Sequence, residues 1–202
     1  MTVTAIKPAR KALSMLYIDG EYAMKLDTQT LKENCIKVGT SLDDEQLKDL
    51  IEKSNYKRAK EKALWLLSGR DYSKKQLIDK IKKDSSHETA EEVCERMEEL
   101  GLVNDESYAR RYASDLLNIK RMSKRGAKYK LMEKGIDRAL CDEILDEFDV
   151  DPVEQLVDII KRKYANKLDD EKDRRRTVAA LQRMGYGWGD IKSAIAEFEE
   201  EY

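Results

Sequence analysis

The feature that most constrains the fold is an internal repeat. A polar residue followed at spacings of four by two small or apolar residues occurs three times, each time 50 residues further on. The three sets are Ser73–Leu77–Ile81, Ser123–Ala127–Leu131 and Asp173–Thr177–Leu181. A spacing of four keeps side chains on one face of a helix. Recurrence at a fixed period of this length is typical of repeated modules. The repeat therefore predicts three tandem helical modules.

Each module is predicted to hold three helices, which gives a mainly α fold. The predicted modules are residues 54–103, 104–150 and 151–202, after a small amino-terminal cap, 1–53. The predicted helices of the modules span 55–68, 73–83, 88–100, 105–118, 123–134, 137–148, 152–166, 170–184 and 187–200. A unit this small has a thin core, so neighbouring modules should stack. The expected body is elongated and curved.

The amino-terminal cap has the pattern of a β-hairpin. Asp19-Gly20 separates two alternating apolar runs, and such a two-residue loop favours positive φ at both positions. Val3–Ile6 can add an edge strand. Two helices are predicted near 28–37 and 43–53, with Ser41 as the N-cap of the second.

Composition excludes several classes of protein. Hydrophobic residues make up 41% of the chain, too many for a disordered protein, although 40% of the residues are charged. No apolar run is long enough to cross a membrane, and no signal-peptide pattern opens the chain. The three cysteines are widely spaced, which predicts buried thiols in a reducing compartment. A cytoplasmic location is expected.

No catalytic, metal or cofactor site is predicted. The one histidine, His87, stands in a polar stretch, and a lone exposed histidine is rarely functional. The glycine-rich segment 185–189 joins two helices, so a helix C-cap and turn is favoured over a phosphate loop. The chain is therefore interpreted as a binding protein and not an enzyme.

A basic block at 116–135 is the candidate contact site. It contains seven lysines and arginines and one acid, Glu133, although the whole chain has a net charge of −2. The equivalent helix of module three begins with three arginines. The candidate partner-binding residues are Arg121, Lys124, Arg125, Lys128, Lys130, Arg174, Arg175 and Arg176. The alternative is that these residues form an ordinary solvated helix surface.

Four segments together resemble the RecX family, the bacterial regulators of the RecA recombinase. The residues that carry the resemblance lie in "AKEKALWLLSGRDYSKKQLIDKI", "MEELGLVNDESYARRYA", "SKRGAKYKLMEKGID" and "LQRMGYGWGDIKSAI". The most specific part is Leu100-Gly101-Leu102, then Asn104-Asp105-Glu106, then Tyr108, Ala109 and Tyr112. The order and spacing of the segments carry the resemblance, which covers about residues 55–200.

The resemblance implies a monomer that binds the RecA–DNA filament in its helical groove. It would then modulate, and in most cases inhibit, the ATPase, strand-exchange and co-protease activities of RecA, and so act in homologous recombination, DNA repair and the SOS response. Several relatives are basic, and the net acidity of this chain puts strong independent binding to single- or double-stranded DNA in doubt. A free-standing helical DNA-binding protein and a purely structural adaptor stay open as alternatives.

Overall fold

A computed structural model describes residues 1–201 and is mainly helical. The chain forms two compact units, the first spanning Met1–Val103 and the second beginning at Asn104. Four clusters of buried apolar side chains follow one another along the sequence, two in each unit. The predicted mainly α class is confirmed, with strands confined to the first 27 residues.

The first unit opens with a three-stranded antiparallel sheet. Its strands are β1 (Val3–Pro8), β2 (Leu13–Ile18) and β3 (Glu21–Asp27), in the order β1-β2-β3. Asp19 and Gly20 have φ values of 51° and 90°, so the hairpin prediction is confirmed at both loop positions. The edge strand is also confirmed.

Two helices cover the sheet, and they differ from the prediction. Helix α1 spans only Thr28–Glu33, and α2 runs unbroken over Asp44–Gly69. The predicted break between two helices near residues 53–55 is wrong. The chain has no Gly or Pro there, and the buried hydroxyl of Ser54 accepts a hydrogen bond from the backbone N–H of Asp27 at 2.8 Å. The N-cap of α2 is Asp43, which forms a capping box with Gln46, and not Ser41.

The rest of the first unit is the first helical module. Helices α3 (Lys74–Ile81) and α4 (His87–Glu99) pack with the second half of α2 around one apolar cluster. The predicted polar start of the repeat is confirmed here, since the Ser73 side chain accepts a hydrogen bond from Gln76 at the start of α3.

The second unit holds the other six α-helices of the described chain. These are α5 (Asp105–Ser114), α6 (Lys124–Glu133), α7 (Arg138–Asp146), α8 (Pro152–Lys163), α9 (Glu171–Arg183) and α10 (Trp188–Glu201). The predicted helix 105–118 is regular only to Ser114, and residues 115–119 form a π-helical turn. A short 3₁₀ turn, Ala165–Lys167, follows α8.

The prediction of buried thiols is confirmed for two of the three cysteines. Cys94 and Cys141 are buried in apolar clusters, as expected for core thiols, but Cys35 is exposed with a φ of 54°. The prediction of buried thiols is therefore wrong for Cys35, which lies in the irregular segment after α1.

Over the described residues no helix has the length and apolar character needed to span a membrane.

The division of the chain into a cap and three modules at residues 53, 103 and 150 stays a prediction. The first of these boundaries falls inside α2, which belongs both to the sheet cluster through Leu50 and to the module cluster through Ala59. The cap and the first module therefore share one helix.

Asp27 joins β3, α1 and α2. Its carboxylate is almost fully buried, caps α1 by accepting hydrogen bonds from the Thr30 backbone and hydroxyl, and lies 3.4 Å from Lys57 of α2. Burial alone would raise the pKa of Asp27. The hydrogen bonds from Thr30 and the ammonium of Lys57 outweigh burial and hold the pKa of this carboxyl below its ordinary value.

We predict that Asp27 makes the stability of the chain depend on pH. Because its pKa is lowered by folding, its carboxylate contributes stability that is fully present above the unfolded pKa of about 4 and is lost as the pH falls through the folded-state pKa. Asp27→Asn keeps a side chain that can cap α1 but has no carboxylate to titrate. Its stability should therefore fall less than that of the wild type as the pH is lowered. Asp27→Ala also loses the cap, which costs about 0.5–2 kcal/mol at pH 7. Urea unfolding followed by circular dichroism measures both effects.

The matched control for Asp27 is Asp49→Asn. Asp49 forms an exposed pair with Lys53 on the same helix, and removing such a pair changes stability by less than about 0.5 kcal/mol. If Asp27→Asn follows the wild-type pH profile throughout, the charge of Asp27 does not contribute to stability.

Candidate interaction surface

The second unit is built around a joint between its two apolar clusters. Tyr186, buried after α9, places its hydroxyl 2.9 Å from the carbonyl oxygen of Arg121 and 2.6 Å from Oε1 of Gln155. The Gln155 amide in turn donates to the carbonyl of Leu117 at 2.7 Å. Burial raises the pKa of Tyr186 well above its ordinary value, so the hydroxyl stays protonated and can donate.

Two glycines bring the backbones together at this joint. Gly185 has a φ of 95°, and a side chain there would collide with the backbone of Gly126 in α6. A Cβ on Gly126 would in turn collide with the carbonyl oxygen of Met184. The same carbonyl accepts a hydrogen bond from the backbone N–H of Ser123 at 3.1 Å. The start of α6 and the end of α9 are therefore joined by a hydrogen bond as well as by close packing of their backbones.

Two of the predicted contact residues belong to this joint. The Arg125 guanidinium donates from Nε to the carbonyl of Gly185 at 3.0 Å and from a terminal nitrogen to that of Tyr186 at 3.4 Å. Arg121 has a φ of 53°, supplies the carbonyl that faces Tyr186, and lies 3.7 Å from Asp158. Both arginines therefore hold α6 against the segment after α9.

The remaining predicted contact residues are dispersed, and most are engaged within the unit. Lys124 begins α6 and is half-buried. The Lys128 ammonium is paired with Asp142 across α6 and α7. The other ion pairs are Lys130–Glu133, Arg174–Glu199, Arg175–Glu171 and Arg176–Asp173, with nitrogen–oxygen distances of 2.8–2.9 Å. Arg121 and Lys128, like these four residues, are therefore paired within the unit.

Lysines and tyrosines of the second unit form a different cluster, which we call the aromatic–basic surface. The ammonium groups of Lys120 and Lys134 lie 5.4 and 6.0 Å from the centre of the Tyr112 ring. The Lys130 ammonium lies 5.7 Å from the ring of Tyr129, which is 64% exposed. The surface consists of Tyr112, Lys120, Tyr129, Lys130 and Lys134.

The π-helical turn positions one side of the aromatic–basic surface. The turn inserts an extra residue into the helical path between Tyr112 and Lys120, and π-helical turns are frequent at functional sites. Ile119, the last residue of this turn, is 74% exposed, and Met132 of α6 is 43% exposed. The aromatic–basic surface therefore combines positive charge, flat rings and apolar area.

The electrostatics of the surface favour anionic groups. Hydrogen bonding to Glu133 raises the pKa of Lys130, and the same contact lowers the pKa of Glu133. The surface still carries three ammonium groups, those of Lys120, Lys130 and Lys134, against the one carboxylate of Glu133. The exposed ring of Tyr129 can also stack, and exposed aromatic rings beside cations are a common means of holding single-stranded nucleic acid.

Lys130 was predicted as a contact residue, whereas the tyrosines were not. The spacing of Tyr108 and Tyr112, four residues apart, was a usable signal, since the two rings lie 5.9 Å apart on one face of α5. Nothing in the local sequence indicated that Lys120 and Lys134 approach the same ring. Within the described part of the chain, no group of three or more His, Cys, Asp or Glu residues is arranged to hold a metal ion.

These features define a class of protein: tandem three-helix modules, the last two joined by a buried tyrosine, with a basic surface. Three models of RecX three-helix domains match the chain. The first domain matches residues 59–97, the second 104–145 and the third 149–195.

The chain belongs to the RecX family. The "Regulatory protein RecX" of Clostridium tetani is 30% identical over 201 residues, which cover 96% of this chain and 92% of that protein. The protein of the same name from Clostridium acetobutylicum is 28% identical over 99% of this chain and 97% of its own length. That from Streptomyces lividans is 32% identical over 68% of this chain and 76% of its own length.

Two solved structures share the fold. A crystal structure of regulatory protein RecX aligns with a TM-score of 0.63 at 21% identity, over 96% of this chain and 98% of that one. The structure of RecX from Lactobacillus salivarius aligns with a TM-score of 0.59 at 22% identity, over 72% of this chain and 97% of that one. The three-module architecture is therefore confirmed.

We predict that Gly126→Ala destabilises the second unit by roughly 1–3 kcal/mol, because the new methyl group meets backbone that cannot move without breaking the joint. The matched control is Gly189→Ala in α10, where no atom lies within 4 Å of the new Cβ. That change should be neutral or stabilising by up to about 1 kcal/mol. Urea unfolding compares the two, and equal stability of both variants would contradict the close approach.

Proposed function

We propose that this protein binds the RecA–DNA filament in its helical groove and inhibits RecA ATPase, strand exchange and co-protease activity. Its membership of a family whose relatives are named regulatory proteins carries the proposal. The protein acts by binding and needs no cofactor. As a regulator of a DNA-bound recombinase it works in the cytoplasm, as a monomer, in recombination, repair and the SOS response.

The aromatic–basic surface is the proposed contact with the filament. A nucleoprotein filament exposes phosphates and carboxylates. Lys120 is exposed, and the Lys130–Glu133 pair is partly exposed and therefore weak, so both ammonium groups can meet these anions. Tyr129 offers an exposed ring for stacking or for an apolar contact. Arg121 and Arg125 hold the joint on which α6 rests, and so position the surface indirectly.

Inhibition follows from the stiffness of the second unit. Its two modules share backbone contacts at Gly126 and Gly185, so contacts made by both modules act as one linked ligand. A rigid ligand that touches neighbouring RecA protomers opposes their relative motion. Coupled ATP hydrolysis then slows without any contact with the nucleotide.

The test is a titration of RecA ATPase on single-stranded DNA with wild-type protein and with the variant Lys120→Glu/Lys130→Glu. Loss of two surface cations should raise the concentration needed for half-inhibition by about tenfold or more, which corresponds to about 1.4 kcal/mol. The matched control reverses two exposed lysines of the same unit, Lys163 and Lys172, and so changes the net charge equally. Equal inhibition by both variants contradicts the site, and no inhibition by the wild type contradicts the function.

A charge reversal at Lys124, Arg125 and Lys128 is not a clean test of binding. Arg125 and Lys128 make contacts between elements, so this variant should lose stability as well as inhibition. Its unfolding curve separates the two effects.

The second candidate function is a free-standing DNA-binding protein, and the tyrosines of the aromatic–basic surface favour it. Bare single-stranded DNA and RecA filaments compared at ~0.15 M salt distinguish the two, since weak phosphate contacts are largely screened there. Preference for the filament supports the first function. On bare DNA, loss of one phosphate contact should lower the salt slope by about 1.

A further inference from the structure

A groove of about 570 Å³ lies between α9 and α10 in the third module. Val178 and Ala179 of α9 and Ile195 and Ala196 of α10 line it. Trp188, which is 60% exposed, stands at one end. A concave site with apolar walls and a large exposed aromatic side chain is typical of a binding groove.

In the second module, an ion pair occupies the position that corresponds to this groove. The 50-residue period aligns Val178 with Lys128 and Lys192 with Asp142. Lys128 and Asp142 form an ion pair across α6 and α7. In the third module a valine and a lysine occupy these positions, so the bridge is lost and a cation remains beside an apolar floor.

The charged residues of the groove leave one cation without a partner. Arg174 pairs with Glu199 at 2.8 Å, and the side chain of Arg175, which is 79% exposed, pairs with Glu171 at 2.9 Å. Lys192 is exposed and has no ion-pair partner among residues 1–200. An exposed pair such as Arg175–Glu171 is weak, so Arg175 is also available to a new anion.

We propose that this groove binds a short acidic segment of a partner protein. The segment inserts an apolar side chain between Val178 and Ile195 and places a carboxylate on Lys192. The apolar walls select the first feature, and the unpaired ammonium selects the second, since a cation beside an apolar groove favours an anion at that position.

The groove sets the length of the segment. The lining residues of α9 extend from Glu171 to Gln182, which at about 1.5 Å per residue spans about 16 Å. This length fits about three turns of a helix or about five residues of extended chain. The groove involves none of the residues of the aromatic–basic surface, and the inference holds independently of the proposed function.

The two tryptophans of the chain allow a direct test. Nitrogen–proton correlation spectra of the full chain contain two indole signals, which Trp65→Phe assigns. The probes are twelve-residue peptides in which one Leu or Phe is moved along a Glu-containing frame, and a second set with Lys in place of every Glu. Acidic peptides should shift the Trp188 signal, whereas Trp65, which is 73% exposed in the other unit, should stay constant.

Variants test each feature of the groove. Ala179→Arg and Ala196→Arg fill it from exposed helical positions and should abolish the shift. Ser193→Arg, an exposed residue of α10 outside the groove, is the matched control and should keep it. Lys192→Glu should weaken acidic peptides by at least tenfold and improve binding of the lysine set.

Four results would overturn the proposal. The first is the absence of a Trp188 shift with every acidic peptide at millimolar concentration, and the second is an equal response to the lysine set. A shift produced by oligothymidine would assign the groove to nucleic acid. A shift that depends on protein concentration without any peptide would assign it to a second copy of the chain.

Discussion

The buried hydroxyl of Tyr186 is the contact on which the second unit depends. It faces the carbonyl of Arg121 and the amide of Gln155, and these groups lie in the segment before α6 and in α8. Loss of the hydroxyl would take this contact away from both carbonyl oxygens, and a buried polar group left unsatisfied costs about 1–3 kcal/mol. The network therefore ties three segments of two modules to one side chain.

The same network explains why the basic block did not become one basic face. The chain must turn sharply before α6, and Arg121 takes a positive φ there, a conformation uncommon for residues other than glycine. The turn directs Arg125 towards the carbonyls after α9 and leaves Lys120 beside Tyr112. Charge that is contiguous in the sequence is thus divided between a structural joint and an exposed surface.

Periodicity predicted the parts of the fold that depend on local pattern. The three modules, the Asp19-Gly20 hairpin and the helix ends near Gly135 and Gly185 follow from spacing and from turn chemistry. The unbroken α2 contains no Gly or Pro near Ser54, and the contact of Ser54 with Asp27, a residue distant in sequence, could not be read from the local pattern. The aromatic–basic surface was missed for the same reason, since Lys120 and Lys134 meet at Tyr112 only after folding.

Helix α2 has a consequence for how the first unit opens. Its 26 residues extend over about 39 Å, and it contributes side chains to both apolar clusters of that unit. A helix shared in this way cannot fray at its centre without disturbing both clusters at once. The sheet and the first module therefore form one cooperative folding unit, in which local opening is confined to the ends of the helix and to the loops. A protease that cuts only locally unfolded chain would therefore find few cleavage sites between the sheet and the first module.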